Sequence, residues 1–170
     1  MPTSSKNAKN TDLSAILEGL VKSDIRFILV GGLAAVIQGA PVTTMDVDIV
    51  YEQTPENISK LFEFLTSVKA RYRRPDDKVV TPGESDLPKM QHGLFMTIFG
   101  PFDVLSFIEG GKTYKDLLKH TVEIEFRGHR MHVLDLRMLT ELKRRSKDPK
   151  DRQRLQVLEE TLKQMREDSG

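Results

Sequence analysis

There is no cysteine among the 170 residues. That excludes a disulfide scaffold and a thiolate zinc site, and it fits a reducing compartment. No apolar run reaches the length of a membrane span, and the opening Met1 to Asn10 carries no hydrophobic stretch that could serve as a signal peptide, so the expected location is cytoplasmic, with no membrane partner. Charge of one sign is also lacking. The formal net charge is +1, which gives no global attraction to a polyanion and leaves any nucleic-acid contact to local patches. Neither a Walker-type phosphate loop nor a Ser-His-Asp spacing suited to nucleophilic catalysis occurs.

What remains is an ordinary globular composition, 38% hydrophobic and 30% charged, in a length that suits one domain with a real core plus a helical extension. After a polar head over 1–10, Leu13, Ile16, Leu17 and Leu20 recur at helical spacing, with Thr11 or Asp12 as N-cap and an end near Lys22. Ile25 to Val30 is a short apolar run closed by two glycines, and Leu33 to Gln38 reads as a short helix stopped by Gly39 and Pro41. Asp46 to Tyr51 reads as a strand, and Thr54-Pro55-Glu56 opens a helix whose buried stripe is Ile58, Leu61, Phe62 and Leu65.

Arg71 to Lys89, interrupted by Pro75, Pro82, Gly83 and Pro88, reads as a long loop. Gly93 to Phe99 and Phe102 to Ile108 flank Gly100-Pro101 as a hairpin, and a short helix near Tyr114 to Leu118 follows. Two further strands, Thr121 to Phe126 and Arg130 to Leu134, precede a helix capped by Asp135 and carrying Met138, Leu139 and Leu142. The end is helical, and Leu155, Leu158, Leu162 and Met165 make a narrow seam that must dock on the domain or on a partner.

The chemistry lies in Val30-Gly31-Gly32 followed, after thirteen residues, by Asp46-Val47-Asp48-Ile49. Side chains alternate along a strand, so Asp46 and Asp48 share a face while Val47 and Ile49 point to the core. At about 4 Å two such charges repel by roughly 4 kcal/mol at an effective dielectric near 20, and a hard divalent cation offsets that naturally. Phe102-Asp103-Val104-Leu105 repeats the pattern of an acid between apolar neighbours, and Asp103 completes a carboxylate triad if its strand lies beside the first. Three acids suit nucleotidyl transfer assisted by Mg²⁺, with Mn²⁺ as the alternative ion, and Asp103 is placed to take the proton of an acceptor hydroxyl. Gly31 and Gly32, lacking Cβ at a strand-to-helix turn, let backbone N–H groups approach phosphate oxygens, and Thr44 adds a hydroxyl. Each piece alone has an ordinary reading, a solvated face or a turn. Their order and spacing together favour the metal.

These residues resemble the signature of the DNA polymerase β-like nucleotidyltransferase superfamily. Phe27 to Pro55, Gly93 to Gly111 and Val133 to Leu158 are similar in order and spacing to small bacterial nucleotidyltransferase-like proteins related to the AbiEii toxins of type IV toxin–antitoxin systems. The resemblance implies an α/β (α+β) fold, a mixed nucleotidyltransferase sheet flanked by helices, with a head over 1–10, a nucleotidyltransferase-like domain over 11–134 and C-terminal helices over 135–170 packed on it. It implies that Gly31 and Gly32 hold the triphosphate of an NTP, and that Asp46, Asp48 and Asp103 hold metal. Lys143 then approaches the nucleotide and Asp151, after Lys150, supports the site. An RNA or protein hydroxyl is the implied acceptor and an antitoxin protein the implied partner. The alternative is a catalytically silent nucleotide-binding or protein-interaction relative. Two positions depart from the pattern: Val42 stands near where an arginine is common, and Arg154 replaces a second acid of the late motif.

Arg71, Arg73 and Arg74 surround Tyr72, offering phosphate contacts and a stacking surface to a single-stranded acceptor, although cations after a helix also complement its dipole and Asp76 and Asp77 offset them. His129 and His132, three apart in a strand, face opposite sides and do not chelate one metal. The catalytic reading requires the oxygens of Asp46, Asp48 and Asp103 to converge beside the glycine pair. Asp103 on another flank of the molecule, or pinned by an arginine, would overturn the catalytic reading and leave only a likeness of fold.

Overall fold

A computed structural model describes residues 11–169; the polar head expected over 1–10 lies outside them. The elements, in chain order, are α1 (Leu13–Lys22), β1 (Phe27–Val30), α2 (Gly31–Ile37), β2 (Val47–Tyr51), α3 (Pro55–Ser67), β3 (Arg71–Tyr72), β4 (His92–Thr97), β5 (Gly100–Leu105), β6 (Phe107–Ile108), β7 (Lys112–Thr113), α4 (Tyr114–Leu117), β8 (Thr121–Phe126), β9 (His129–Leu134), α5 (Leu136–Arg145) and α6 (Pro149–Ser169). Seven strands form one mixed sheet in the order β3-β4-β5-β2-β1-β9-β8, and β6 with β7 make a separate two-stranded ribbon. The expected α/β sheet flanked by helices, with a helical C-terminus, is what the chain forms.

The local signals act as the side-chain chemistry predicts. Asp12 caps α1 by accepting the Ala15 N–H, Thr54 caps α3 by accepting from Asn57 with Pro55 in the first turn, and Asp135 caps α5 by accepting from Met138 at 2.7 Å. The apolar positions of β1, β2 and β5 are buried, Ile28, Leu29, Val47, Ile49 and Phe102 completely so. These central strands carry the core, and the helices cover it.

Several expectations need correction. Asp46 precedes β2 rather than lying in it. The segment after α3 is not wholly a loop. Arg71 and Tyr72 pair with Met96 and Phe95 as an edge strand, and Glu84–Lys89 forms a 3-10 helix. That segment is held by the Tyr51 hydroxyl donating to the Leu87 carbonyl at 2.7 Å and the Ser106 hydroxyl donating to the Met90 carbonyl at 2.5 Å. The second arm of the hairpin ends at Leu105, because Phe107 and Ile108 turn away to pair with Thr113 and Lys112. In α3 the stripe is rotated: Leu61, Phe64 and Leu65 are buried while Ile58 and Phe62 only pack against the core from its edge. The terminal seam docks only near its start, with Leu158 buried, Leu162 partly covered and Met165 45% exposed. Among the described residues no helix is long and apolar enough to cross a membrane.

Candidate active site

Strand register assembles the site. Val30 of β1 is the antiparallel partner of Asp48, and Asp48 is the parallel partner of Asp103 on β5. Asp103 in turn pairs with Leu94 of β4, whose carbonyl accepts the Arg73 N–H just beyond β3. Arg73, Leu94, Asp103, Asp48 and Val30 therefore form one row across four strands and the residue that follows β3. Residues in such a row present side chains to the same face, about 4.8 Å apart per strand. Asp46, one residue before β2, turns its carboxylate onto the same point. One carboxylate oxygen from each of Asp46, Asp48 and Asp103 lies within 4.8 Å of the others.

The glycine turn closes over these acids. The chain leaves β1 beside Asp48, and Gly31 adopts a φ of +73°, a left-handed conformation that side chains disfavour. A Cβ built on Gly31 would fall 2.1 Å from Asp48 Oδ2. Only glycine lets the backbone approach the carboxylate this closely. A Cβ on Gly32 would meet Arg154 Nη1 at 3.0 Å and the Thr44 side chain at 3.1 Å, so the second glycine opens onto a different pair of groups.

Packing three acids under a backbone turn has an electrostatic consequence. Burial first, then the Asp46 and Asp103 carboxylates, push the Asp48 carboxyl up to about 8, with Arg73 opposing. Asp46 is raised as well, by burial and then by Asp103, against the pull of Arg73 and Arg154. Asp48 Oδ1 and Asp103 Oδ1 are buried without a hydrogen-bond donor. Orphaned acceptors of this kind are rare in native proteins and point to a missing cation or water. All-oxygen donors, with Asp48 Oδ1 orphaned, fit a hard divalent ion such as Mg²⁺ or Mn²⁺.

An arginine does reach Asp103. Arg73 Nη2 lies 2.7 Å from Asp103 Oδ1, spanning the intervening Leu94. The separation is that of an ion pair, so Asp103 Oδ1 has a cationic partner without an aligned hydrogen bond, and of the two oxygens only Asp48 Oδ1 has no partner among the described residues. Arg71, Tyr72, Arg73 and Arg74 line one open pocket together with Asp76 and Asp77. Arg74 forms a fork on Asp76 with two 2.8 Å contacts. Tyr72 packs against Phe95 with ring centroids 5.0 Å apart and turns its hydroxyl to the Met90 sulfur, so its face is used inside the protein.

Thr44 donates to the Asp46 carbonyl at 3.3 Å, holding the approach to β2 rather than pointing at the acids. Lys143 and Asp151 meet each other at 3.0 Å, with Ser146 donating to the second Asp151 oxygen at 2.5 Å. Burial acts upward on the Asp151 carboxyl, but the Ser146 hydroxyl and the Lys143 ammonium outweigh it and keep it below the usual range. Lys143 lines a small cleft with Gly31, Gly32, Val42, Arg154 and Leu158, which places it behind the glycine turn. α5 is set there by Gln38, whose amide donates to the Leu134 carbonyl at 2.8 Å and accepts the Leu136 N–H.

Two residues at the site were not assigned to it from sequence. Arg73 sits in a proline-interrupted stretch, where two residues of strand give no readable alternation. Arg154 stood out only as a departure from an acidic pattern, and in the folded chain its Nη2 donates to the Thr43 carbonyl at 2.9 Å, across 111 residues of sequence.

No protein-family model matches the chain, and no curated protein does. Among solved structures it is similar to a Thermotoga maritima protein described as a "putative nucleotidyltransferase", with a TM-score of 0.51 and 17% identity over 90% of this chain and 92% of that one. At that identity the likeness is one of fold, and this chain shares the fold of that protein.

Proposed function

We propose that this chain is a metal-dependent nucleotidyltransferase that moves a nucleotidyl group from an NTP to a hydroxyl on RNA or protein and releases pyrophosphate. The observation that carries the reading is the convergence of Asp46, Asp48 and Asp103 beside Gly31, with Asp48 Oδ1 buried and unpartnered. Asp46, Asp48 and Asp103 would hold the ion, which when bound supplies charge for the phosphate oxygens and the leaving pyrophosphate. Gly31 leaves room for Asp48 against the turn, and the backbone N–H groups of Gly31 and Gly32 would meet the substrate's phosphates. Lys143 faces the cleft behind the turn, and Asp151 orients it through the 3.0 Å ion pair. The new bond joins the acceptor oxygen to the α-phosphorus as the bond to pyrophosphate breaks, and the acceptor's proton passes to Asp103, which must first part from Arg73.

On the finer scale, the chain is an AbiEii-related toxin of a type IV toxin–antitoxin pair. The terminal seam supports this, since Met165 continues an apolar line beyond the part that docks at Leu158. A second reading has its own observation. The Arg73–Asp103 ion pair neutralises one of the three ligands, as expected of a nucleotide-binding relative without turnover.

Incubation with each α-labelled NTP, Mg²⁺ and total RNA or lysate discriminates the two. Label transferred to a macromolecule, lost in Asp48→Ala, is the result expected of the enzyme. Metal-dependent nucleotide binding with no pyrophosphate release would replace that reading with the silent relative. Growth arrest on expression, relieved by Asp48→Ala and by a neighbouring gene product that binds the chain, is the result expected of a toxin.

A further inference from the structure

The residue that departs most from the late helical pattern is a cation held at the glycine turn. Arg154 projects from α6, fixes one N–H on the Thr43 carbonyl at 2.9 Å, and brings Nη1 to within 3.0 Å of the point a Gly32 Cβ would occupy. Among the described residues no carboxylate lies within ion-pair distance of it, although the chain holds 25 acids and most of its partly buried cations are paired. Its positive charge is felt at Asp46, on the acid cluster, and at Asp151, on the lysine side. Asp48, Gly31, Gly32 and Arg154 thus follow one another across the surface, from the metal-ligand oxygens to an oriented guanidinium.

We infer that Arg154 binds the phosphate tail of the substrate, so that the site selects polyphosphates over monophosphates. The inference rests on the nucleotidyltransferase reading and assigns its phosphate end. A guanidinium tethered by a single backbone acceptor keeps its remaining N–H groups in a fixed fork, the geometry that matches two phosphate oxygens and that lysine cannot reproduce. A Cβ on Gly32 would press on Arg154 and Thr44 at 3.0 and 3.1 Å, so the glycine lets both sit close against the turn. The departure from an acid at this position is then a gain of anion affinity.

The test is calorimetric, with inorganic tripolyphosphate and AMP as probes in the presence of Mg²⁺, on the wild type, Arg154→Gln and Arg154→Lys, with thermal melts to establish folding. Loss of a charged, bidentate contact predicts that Arg154→Gln weakens tripolyphosphate binding about tenfold or more and AMP binding less than about twofold. Arg154→Lys, which keeps the charge and loses the fork, falls between. Equal losses for both probes would mean that Arg154 only braces the Thr43 segment, and would overturn the inference. Unchanged tripolyphosphate binding in Arg154→Gln would overturn it and leave the nucleotidyltransferase reading standing. If wild-type protein binds Mn²⁺ by paramagnetic resonance but does not bind tripolyphosphate, both fall. A tenfold loss in Arg154→Gln without pyrophosphate release from any NTP would uphold the inference and reject turnover.

Discussion

Gly31 and Asp48 are in direct opposition: the glycine's missing Cβ is the space in which Asp48 Oδ2 sits, 2.1 Å from where that atom would be. Gly31→Ala therefore combines a strained positive φ with a steric conflict, each costing on the order of 1–3 kcal/mol. The expected outcome is a clear fall in melting temperature. Combining it with Asp48→Ala removes the oxygen and Cγ that clash, leaving a 3.1 Å contact to Cβ, so part of the loss should return. Strict additivity in the double mutant would show that the conflict is not with Asp48.

The raised acids predict an unusual stability profile. Burial and the neighbouring carboxylates push the Asp48 carboxyl up to about 8 from its ordinary 3.8, so the folded chain holds a proton that the unfolded chain releases. That contribution is fully present below about pH 4 and is lost as pH rises through about 8, and Asp46 acts in the same direction. Metal-free protein should lose stability across this window. Asp48→Asn should flatten the slope and be the more stable protein at pH 8, and Mg²⁺ should raise the melting temperature more at pH 8 than at pH 5. A wild-type melting temperature that climbs steadily from pH 4 to pH 8 would contradict the assignment.

Arg73 and a bound cation compete for the same Asp103 oxygen. Arg73→Gln should raise Mn²⁺ affinity by about tenfold, the scale of one nearby charge in a partly screened site. It should also destabilise the metal-free protein, since three acids lose a counter-charge. Paramagnetic resonance titration measures the first effect and denaturant melts the second. Reduced Mn²⁺ affinity would instead make Arg73 part of the structure that orients Asp103.

Lys143 reaches the cleft behind the glycine turn with its charge shared by Asp151. Lys143→Ala should weaken NTP binding by about tenfold and NMP binding little, and should also lower stability, since the ion pair is mostly buried and Asp151 loses a partner. Asp151→Asn should show a smaller loss, because Ser146 still holds the side chain. Equal losses for NTP and NMP would place Lys143 away from the phosphate tail.

The sequence alone determined the local chemistry. The caps at Asp12, Thr54 and Asp135, the apolar runs of the central strands, the glycine pair at the end of β1 and the acids flanking Val47 are properties of neighbouring residues, so they can be read from spacing. What only the tertiary structure decided is which distant residues share a row. Parallel pairing of β2 with β5 put Asp103 beside Asp48, and a two-residue edge strand brought Arg73 onto Asp103 from a stretch with no strand-like alternation. Likewise, the docking of α6 carried Arg154 to the glycine turn. Register and helix docking are long-range packing outcomes, set by burial against partners far along the chain. A one-residue slip of β5 would keep every motif and turn Asp103 to the opposite face of the sheet.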